Sequence, residues 1–451
     1  MTAWVSDAVF YHIYPLGLTG APSINDFRSS PANRFKILMN WIGHIHNLGA
    51  NAVYLSPVFE SSSHGYDTAD YFTVDRRLGT NGDLREFVDH CHKNGIRVIL
   101  DAVFNHVGRD HFAFKDLQIK GHSSDYRDWF HVRFDRKSCY GDNFWYEGWS
   151  NYFNLVKLNM KNSAVREYLK EALRCWIDWF DIDGIRIDAA DCIDKDFFTE
   201  LRNHSKALKA DFWLMGEIIH GDYNQWANST HLDSVTNYEM YKGLWSSHND
   251  SNYFEIAYSA NRQFGDWGIY KNLNLYNFAD NHDVNRVAST LKDRDHLFTL
   301  YILLFTLPGV PSIYYGSEFG ITGEKRNGSD ADIRPCLDLS HLSESNRESK
   351  LLNTIKMLAL IRRKEKALQE GTYAQLLVDH EQYAFMRKEQ GSAVIVIVNS
   401  SKEPKTVGIP MPSDCGRQFT DLVNRNARFS VESGKLTLQI EPCWGRVLAM
   451  E

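Results

Sequence analysis

The stretch from Ser163 to Asp188, SAVREYLKEALRCWIDWFDIDGIRID, contains the repeating unit from which the fold can be predicted. Its first part, residues 163–180, carries apolar residues at spacings of three and four, which is typical of an amphipathic helix. Its second part, residues 184–188, is a short apolar run that ends on a carboxylate and is typical of a buried strand. A helix followed at once by a buried strand favours a parallel sheet with helices packed on its faces.

Strand-like and helix-like runs alternate in this way along most of the chain. The strand-like runs lie at 9–14, 52–57, 97–103, 184–188, 212–218, 234–237, 273–278 and 311–315. The helix-like runs lie at 34–47, 83–94, 163–180, 194–207, 251–264, 296–307 and 348–364. This repetition predicts an α/β fold of the closed (β/α)8, or TIM-barrel, type. A doubly wound open sheet is the alternative, but no Gly-rich phosphate-binding turn follows the first strand-like run.

Two segments interrupt the alternation. Residues 106–159 are aromatic, polar and irregular, and a loop of this length is usually functional or a small inserted domain. Towards the C-terminus the pattern changes to alternating strands such as 435–440, which predicts a C-terminal antiparallel β domain, a β-sandwich. The expected domains are therefore a barrel formed by 1–105 and 160–367, an inserted domain at 106–159, and a C-terminal domain at 368–451.

Composition and charge narrow the class of protein. The chain has 451 residues, of which 43% are hydrophobic and 24% charged, as in soluble globular proteins. A formal net charge of −7 and the lack of a basic stripe argue against nucleic acid and against electrostatic binding to a membrane surface. The first residues show no signal-peptide pattern, and no run approaches the ~20 apolar residues of a membrane span.

The number and spacing of the cysteines indicate the cellular compartment. The seven cysteines are an odd number without paired spacing, which favours free thiols in a reducing compartment and predicts a cytoplasmic protein. Among them, Cys91, Cys175 and Cys192 are expected to fill the hydrophobic core.

Charged and polar side chains cluster where the predicted barrel strands end, which is where barrel enzymes place their active sites. They are Asp101, Asn105, His106, Arg186, Asp188, Glu217, His282 and Asp283. A single aspartate at a strand end is more often a helix N-cap. Three carboxylates, each after an apolar strand, favour a shared site instead. Arg186 projects from the same face of its strand as Asp188, and a fixed cation there favours the ionised carboxylate.

Four segments resemble the four ordered motifs of the α-amylase family of glycoside hydrolases. They are DAVFNH at 101–106, GIRID at 184–188, GEI at 216–218 and FADNHD at 278–283. Two more, GYDTADY at 65–71 and GVPSIYYG at 309–316, resemble further signatures of that family. The resemblance covers about residues 9–362, with the β-rich tail in the family's usual place. Six motifs in order at predicted strand ends make the resemblance very specific.

The resemblance implies a retaining double-displacement hydrolysis of α-glucans. Asp188 matches the nucleophile, Glu217 the general acid and base, and Asp283 the third carboxylate, which binds sugar hydroxyls and favours distortion of the ring. Such a reaction needs one ionised and one protonated carboxyl about 5–5.5 Å apart. Because Glu217 has no cationic neighbour in sequence, low-dielectric surroundings are expected to raise its pKa towards acid function.

The resemblance also implies a set of substrate-binding residues. Arg186 matches the arginine that keeps the nucleophile ionised, His106 and His282 match histidines that bind sugar hydroxyls, and Tyr66 matches an aromatic stacking platform. Asp330 and Arg334 have the spacing of a pair that often binds the next sugar.

Residues 128–131, 155–159 and 217–220 resemble the cyclomaltodextrinase, neopullulanase and maltogenic amylase group, whose members act on cyclodextrins, maltooligosaccharides and pullulan. Val156 stands where the group usually has proline, and Ile219 where it usually has an aromatic on the leaving-group side. The group's N-terminal β domain is not expected, because the barrel pattern begins near Met1. A monomer or a homodimer is expected, with an α-glucan oligosaccharide as substrate.

Calcium and the alternative activities stay open at this stage. No cofactor is expected to be required, but Asn105 matches a residue that binds Ca²⁺ in many amylases, and Asp142 and Asn143 are candidate partners. An α-glucosidase or a sucrose- or trehalose-type glucosyltransferase of the same family would share the three carboxylates. A catalytically inactive glucan-binding or partner subunit is less favoured, because the three carboxylates are present.

Overall fold

In the computed structural model of this protein the described residues are 3–326, 328–342, 346–413 and 415–451, with backbone only for 3 and 346–348. The strands, in chain order, are β1 Phe10–Ile13, β2 Ala52–Leu55, β3 Phe59–Ser61, β4 Thr68–Val74, β5 Arg97–Ala102, β6 His106–Gly108, β7 Val132–Arg133, β8 Trp145–Tyr146, β9 Gly148–Trp149, β10 Tyr152–Lys157, β11 Gly184–Ile187, β12 Trp213–Gly216, β13 Ser234–Val235, β14 Tyr276–Phe278, β15 Val310–Tyr314, β16 Thr372–Val378, β17 Gln382–Glu389, β18 Ser392–Asn399, β19 Lys405–Pro410, β20 Gln418–Asp421, β21 Arg428–Glu432, β22 Lys435–Ile440 and β23 Trp444–Met450. The α-helices are α1 Pro15–Leu18, α2 Phe35–Leu48, α3 Asn81–Lys93, α4 Phe112–Lys120, α5 Ser163–Phe180, α6 Lys195–Leu208, α7 Tyr238–Asn249, α8 Tyr253–Phe264, α9 Val287–Thr290, α10 His296–Thr306, α11 Asn346–Lys364 and α12 Lys366–Glu370.

The barrel consists of β1, β2, β5, β11, β12, β13, β14 and β15. These strands pair in parallel in the order β13-β12-β11-β5-β2-β1-β15-β14. A parallel bridge between Thr236 and Tyr276 joins the two outer strands and closes the sheet on itself. The predicted (β/α)8 barrel is therefore confirmed, and each strand-like run of the sequence contains one barrel strand.

The barrel interior is layered, with apolar side chains near the N-terminal ends of the strands and charged ones near the C-terminal ends. At the apolar level Phe10 stacks on Trp213 at 5.2 Å between ring centroids and meets Tyr276 edge-on at 5.5 Å. Because side chains alternate along a strand, Asp101 projects from the same face of β5 as Ile99, two residues further on. The same alternation brings Arg186 to the interior two residues after Gly184, so the charged layer lies directly above a packed floor.

Helix α7 was not among the predicted helices. Its residues Gly243, Ser246, Ser247 and His248 are buried, so the buried face lacks the regular apolar spacing that marks a helix in sequence. A Cβ added to Gly243 would lie 3.6 Å from the Cα of Ile256 in α8, which shows how closely the two helices approach.

The segment after β5 forms a small unit rather than an irregular loop. Strands β6, β10 and β9 pair antiparallel, and β7 pairs with β8. Its core is aromatic: Phe114 packs on Phe130 at 5.3 Å, on Phe144 at 5.9 Å and on Tyr146 at 4.8 Å. This unit places β6, with His106, and β9, with Trp149, next to the barrel mouth.

The C-terminal part is an antiparallel sheet, as predicted. Its order is β16-β17-β18-β23-β20-β21-β22-β19. The sheet is joined to the barrel helices by hydrogen bonds, for example from Arg387 Nη1 to the carbonyl of Thr306 at 2.8 Å and from the amide of Tyr253 to the carbonyl of His380 at 2.9 Å.

Two further expectations can be compared with the structure. Cys91 and Cys175 are buried as predicted, but Cys192 is exposed, because it lies in the 3-10 turn Ala190–Cys192 at the barrel mouth. Among the described residues, the helices are too short or too polar to cross a membrane.

A buried ion cluster closes the opposite end of the barrel, before β11. The Asp183 carboxylate is fully buried and accepts hydrogen bonds from the Val98 amide at 2.9 Å, Arg97 Nη1 at 2.8 Å, Lys209 Nζ at 3.0 Å and His92 Nε2 at 2.8 Å. Burial alone would raise the pKa of Asp183, but these donors hold it well below its ordinary value. The cluster therefore ties β5 to the loop between α5 and β11.

We expect Asp183→Asn to lower the free energy of unfolding by about 3–5 kcal/mol at neutral pH, because the variant leaves buried cations without their counter-charge. The wild-type carboxylate has a lowered pKa in the folded state. Its advantage is therefore complete above the ordinary aspartate pKa of about 3.9 and declines as the pH falls below that value. Urea unfolding at several pH values measures the difference. Asp211→Asn is the matched control, since its carboxylate is half-exposed and contacts Arg97 only at 3.4 Å. Equal losses in the two variants would contradict the prediction.

Candidate active site

The guanidinium of Arg186 lies at the centre of the charged layer. Its Nη1 atom is 2.8 Å from Asp101 Oδ1 and 2.8 Å from Asp188 Oδ1, and its Nη2 atom is 2.9 Å from Glu217 Oε2. The side chain is 3% exposed, so these contacts lie in a low-dielectric environment. Glu217 has no cationic neighbour in sequence but gains one in the fold, because β12 pairs with β11 in a register that places Glu217 against the same arginine.

Asp101 is a structural counter-ion to Arg186. Its carboxylate is almost completely buried and accepts hydrogen bonds from the hydroxyls of Tyr54 at 2.6 Å and Tyr66 at 2.9 Å. Since both oxygens of Asp101 also contact Arg186, the single positive charge of the arginine is already balanced by Asp101. Asp188 and Glu217 therefore share an arginine whose charge is matched elsewhere.

The pair formed by Asp188 and Glu217 favours uptake of a proton. Burial raises the pKa of Asp188 well above its ordinary range, and the carboxylates of Glu217, Asp101 and Asp283 add to the rise, while Arg186 opposes it. Two carboxylates on one guanidinium repel each other when both are ionised. The site therefore favours one ionised and one protonated carboxyl, as acid–base chemistry requires.

Glu217 is held by two further groups that the sequence did not reveal. Its Oε2 atom accepts a hydrogen bond from the amide of Ala189 at 3.2 Å, and its Oε1 atom accepts one from the hydroxyl of Tyr238 at 3.2 Å. Ala189 has φ of 45°, in the left-handed region that a non-glycine residue seldom adopts. Tyr238 lies at the start of α7 and was missed because that helix was missed.

Asp283 is paired separately from the other two carboxylates. Its Oδ2 atom is 2.9 Å from His282 Nε2 and its Oδ1 atom is 3.0 Å from Arg334 Nη2. Burial would raise the pKa of Asp283, but His282 and then Arg334 lower it to well below its ordinary value. The side chain is 35% exposed, so an ionised carboxylate faces the cleft.

Aromatic rings form a wall on the Asp283 side of the site. The rings of Tyr66 and His282 are nearly parallel at 5.4 Å, and Tyr14 continues the stack at 6.3 Å from His282. The hydroxyl of Tyr66 also hydrogen-bonds His282 Nε2. Arg334 lies over the ring of Tyr14, with the guanidinium carbon 4.7 Å from the ring centroid.

His106 supplies a hydrogen-bond donor on the opposite side. Burial lowers the pKa of His106 to about 3, so the ring is neutral. Its Nδ1 atom lies 3.1 Å from the Asn105 side-chain amide and accepts from it, which leaves the proton on Nε2. The Nε2 atom has no hydrogen-bond partner among the described residues and lies 3.9 Å from Asp188 Oδ2. It is therefore a buried group close to Asp188.

The structure brings the residues predicted for the site into one connected cluster. The predicted residues are Tyr66, His106, Arg186, Asp188, Glu217, His282, Asp283, Asp330 and Arg334. Asp330 joins the cluster through Arg334 Nη2 at 2.7 Å and also pairs with Lys325 at 3.2 Å. Sequence reasoning did not assign Trp149, whose ring lies 5.8 Å from that of His106. On the Glu217 side, Ile219 is 43% exposed.

The residues around Asn105 fit a calcium ion poorly. Asn105 Oδ1 is buried without a hydrogen-bond partner in the described part of the chain, and it supplies a single oxygen where Ca²⁺ takes six to eight. The candidate partner Asp142 is engaged by both Nη atoms of Arg109, at 2.8 and 3.0 Å. Within the described ranges, no group of three or more His, Cys, Asp or Glu side chains has the arrangement to hold a metal. Calcium at Asn105, with Asn143 as a partner, stays a prediction.

Comparisons with known proteins agree with this geometry. Residues 37–366 match the family model described as alpha amylase, catalytic domain. The chain is 32% identical to a cyclomaltodextrinase of Geobacillus thermopakistaniensis, over 99% of this chain and 77% of that protein. It is 30% identical to a maltogenic α-amylase of Bacillus acidopullulyticus, over 97% and 76%. A ligand-free cyclic α-maltosyl-(1→6)-maltose hydrolase from Arthrobacter globiformis has a TM-score of 0.83 and 27% identity, over 99% of this chain and 100% of that one.

We expect Arg186→Met to lower the free energy of unfolding by about 3–5 kcal/mol at neutral pH, because three buried carboxylates lose their shared cation. Arg186 opposes the rise in the pKa of Asp188 that burial causes, so without the arginine this pKa rises further above its value in the unfolded chain. The folded variant then binds extra protons, so its deficit shrinks as the pH is lowered towards about 5.

Thermal unfolding of both proteins across this pH range provides the measurement. Arg174→Met is the matched control, since that arginine is 40% exposed on α5 and pairs with Glu171 and Asp178 at the surface. A deficit that does not change with pH would contradict the account.

Proposed function

The chain belongs to the α-amylase family of glycoside hydrolases, and from that membership we propose that it cleaves α-1,4-glucosidic bonds with retention of configuration. We propose maltooligosaccharides, cyclodextrins and starch as the substrates. The observation that carries the mechanism is the single guanidinium of Arg186 in contact with both Asp188 and Glu217. Two carboxyl groups bound to one cation can hold one proton between them. One can then act as the ionised nucleophile and the other as the protonated acid.

In the first step, Asp188 is the nucleophile and Glu217 the acid. A carboxylate oxygen of Asp188 attacks the anomeric carbon, the bond from that carbon to the leaving oxygen breaks, and Glu217 gives its proton to that oxygen. In the second step, Glu217 takes a proton from water, the water oxygen attacks the anomeric carbon, and the ester bond to Asp188 breaks. The proton that the pair retains must therefore be on Glu217 when the substrate binds.

The other groups bind and orient the reacting sugar. Asp283 stays ionised beside His282 and Arg334, so it can accept hydrogen bonds from two sugar hydroxyls. Tyr66 lies against His282 and offers a ring to stack on the sugar, and His106 Nε2 offers a donor near Asp188. These contacts hold the sugar within reach of the nucleophile, which lowers the entropic part of the barrier.

The leaving-group side is where we expect the choice of substrate and acceptor. Ile219, which is exposed there, is an aliphatic residue without a flat ring to stack on a sugar. We therefore propose maltooligosaccharide hydrolysis as the main activity, with some transfer to sugar acceptors in place of water. A cytoplasmic location, no required cofactor and a monomeric or homodimeric state stay predictions.

The substrate panel that tests the proposal contains maltotriose, β-cyclodextrin, pullulan, starch and sucrose. We expect maltotriose and starch to be hydrolysed, and the new reducing ends to appear first in the α configuration by proton NMR. The proportion of transfer is given by products longer than the substrate. Fast sucrose turnover without attack on any α-1,4-glucan would overturn the substrate assignment, and a first-formed β anomer would overturn the mechanism.

We expect Asp188→Asn and Glu217→Gln to abolish most activity for different reasons, and an aryl glycoside separates the two. Loss of an acid or base costs about 10²–10⁴-fold in rate. With 4-nitrophenyl α-maltoside the leaving group departs without a proton, so Glu217→Gln should lose much less in the first, bond-breaking step than it does with maltotriose. Asp188→Asn should be equally impaired with both substrates.

Burst kinetics with the aryl substrate measure the first step, and far-ultraviolet circular dichroism confirms that the variants are folded. Glu239→Gln is the matched control, since Glu239 lies one residue from Tyr238 and pairs with Arg262 away from the carboxylate cluster. The same loss on both substrates in Glu217→Gln would argue against the acid role.

A further inference from the structure

A second cavity lies away from the carboxylates, where α10 and α11 meet the C-terminal sheet. Its volume is about 510 Å³, within the range of about 300–1,000 Å³ of pockets that bind small ligands. Lining side chains include Phe298, Lys350, Lys402, Asn424, Glu441 and Trp444. Sites between two structural units are common positions for ligands.

The barrel residues that line the cavity lie towards the same end of the barrel as the carboxylates. In a (β/α)8 barrel each helix begins near the C-terminal end of the strand before it. Phe298 lies in the first turn of α10, and Lys350 lies near the start of α11. A contact between Lys402 Nζ and Asp293 at 3.0 Å joins the C-terminal sheet to the residues just before α10. The cavity and the carboxylates therefore both lie on the side of the barrel where the strands end.

Two aromatic rings form one wall. The ring centroids of Phe298 and Trp444 are 5.4 Å apart at an angle of 55°. The Lys350 ammonium lies 4.8 Å from the first centroid and 5.0 Å from the second, so both rings face the space that this side chain enters. Trp444 is fixed by a hydrogen bond from its Nε1 to Asn424 Oδ1 at 2.8 Å. A flexible lysine can move aside for a ligand that stacks on the indole, and then donate to it.

The charges around the cavity are of both signs. Lys350 and Lys402 line it together with Asp295 and Glu441, and Lys402 also pairs with Asp293 at 3.0 Å. A phosphate would need an excess of cations and a metal ion an excess of carboxylates, so neither is favoured here. Aromatic faces beside several charged donors and acceptors suit a neutral, polyhydroxylated ligand with apolar ring faces, and Asn424 holds the Trp444 ring in position.

We propose that this cavity, formed by Phe298, Lys350, Asn424 and Trp444, is a non-catalytic binding site for an α-glucan oligosaccharide. The inference rests on the proposed function, because it takes the ligand class from the substrate. The site would hold a distant part of a long chain while the carboxylates act on another part. Such bivalent attachment raises the effective concentration of substrate at the active site.

The test counts binding sites in the full-length chain made inactive by Glu217→Gln. Isothermal titration calorimetry with maltotetraose should show two sites for each chain. Adding Trp444→Ala should weaken binding at one of them at least tenfold. Asn424→Ala should weaken the same site without deleting a large ring, and it replaces Trp444→Ala as the test if that variant does not fold. Trp267→Ala is the matched control, because Trp267 is 95% exposed on a loop outside the cavity.

The outcomes separate this inference from the proposed function. A single site in the Glu217→Gln parent, or two unchanged sites in a folded Trp444→Ala or Asn424→Ala chain, would overturn the second site and leave the proposed function standing. A wild-type enzyme that neither binds nor cleaves maltotetraose would instead overturn the proposed function. In active enzyme, the ratio of the rate on amylose to the rate on maltotriose should fall in Trp444→Ala and stay constant in Trp267→Ala.

Discussion

One buried guanidinium bound by three carboxylates is the constraint on which the active end of this protein depends. Arg186 contacts Asp101, Asp188 and Glu217, so a single positive charge is shared among up to three negative ones. Burying unpaired charge costs several kcal/mol, and the least costly remedy is a proton on one of the carboxyls. The shortage of positive charge around Arg186 therefore favours one protonated and one ionised carboxyl. This is the protonation state that a pair of catalytic carboxyls needs.

The surrounding structure keeps that arrangement in place. Tyr54 and Tyr66 fix Asp101 as a permanent counter-ion, and the strained backbone of Ala189 directs an amide to Glu217. Asp283 pairs with His282 and Arg334 rather than with Arg186. Because each carboxylate has different partners, three chemically similar side chains occupy different electrostatic environments within one small volume.

The sequence predicts the barrel and the identity of the site, but it does not predict how the charges are shared. Apolar runs at 97–103, 184–188 and 212–218 predict buried strands, which the fold confirms, and a functional mouth, which stays a prediction. The contact of Arg186 with Glu217 depends on the register between β11 and β12, which no single strand encodes. Tyr238 was missed because α7 buries small residues and lacks an apolar stripe. Cys192 is exposed because a 3-10 turn interrupts the chain after Asp188.

The closure of the barrel is uneven around its circumference. Between β12 and β14 stands β13, a strand of two residues, and the ring is completed by the bridge from Thr236 to Tyr276. A strand of two residues offers few main-chain hydrogen bonds, and side chains reinforce the seam, for example Asn237 Nδ2 donating to Asn277 Oδ1 at 2.9 Å, so we expect local opening to begin here only if these side-chain bonds also break. Glu217 and Asp283 lie on opposite sides of it. Local opening there would change the distance between Glu217 and Asp283, while β11, which pairs with both β5 and β12 over four residues, would keep Asp188 and Arg186 in register.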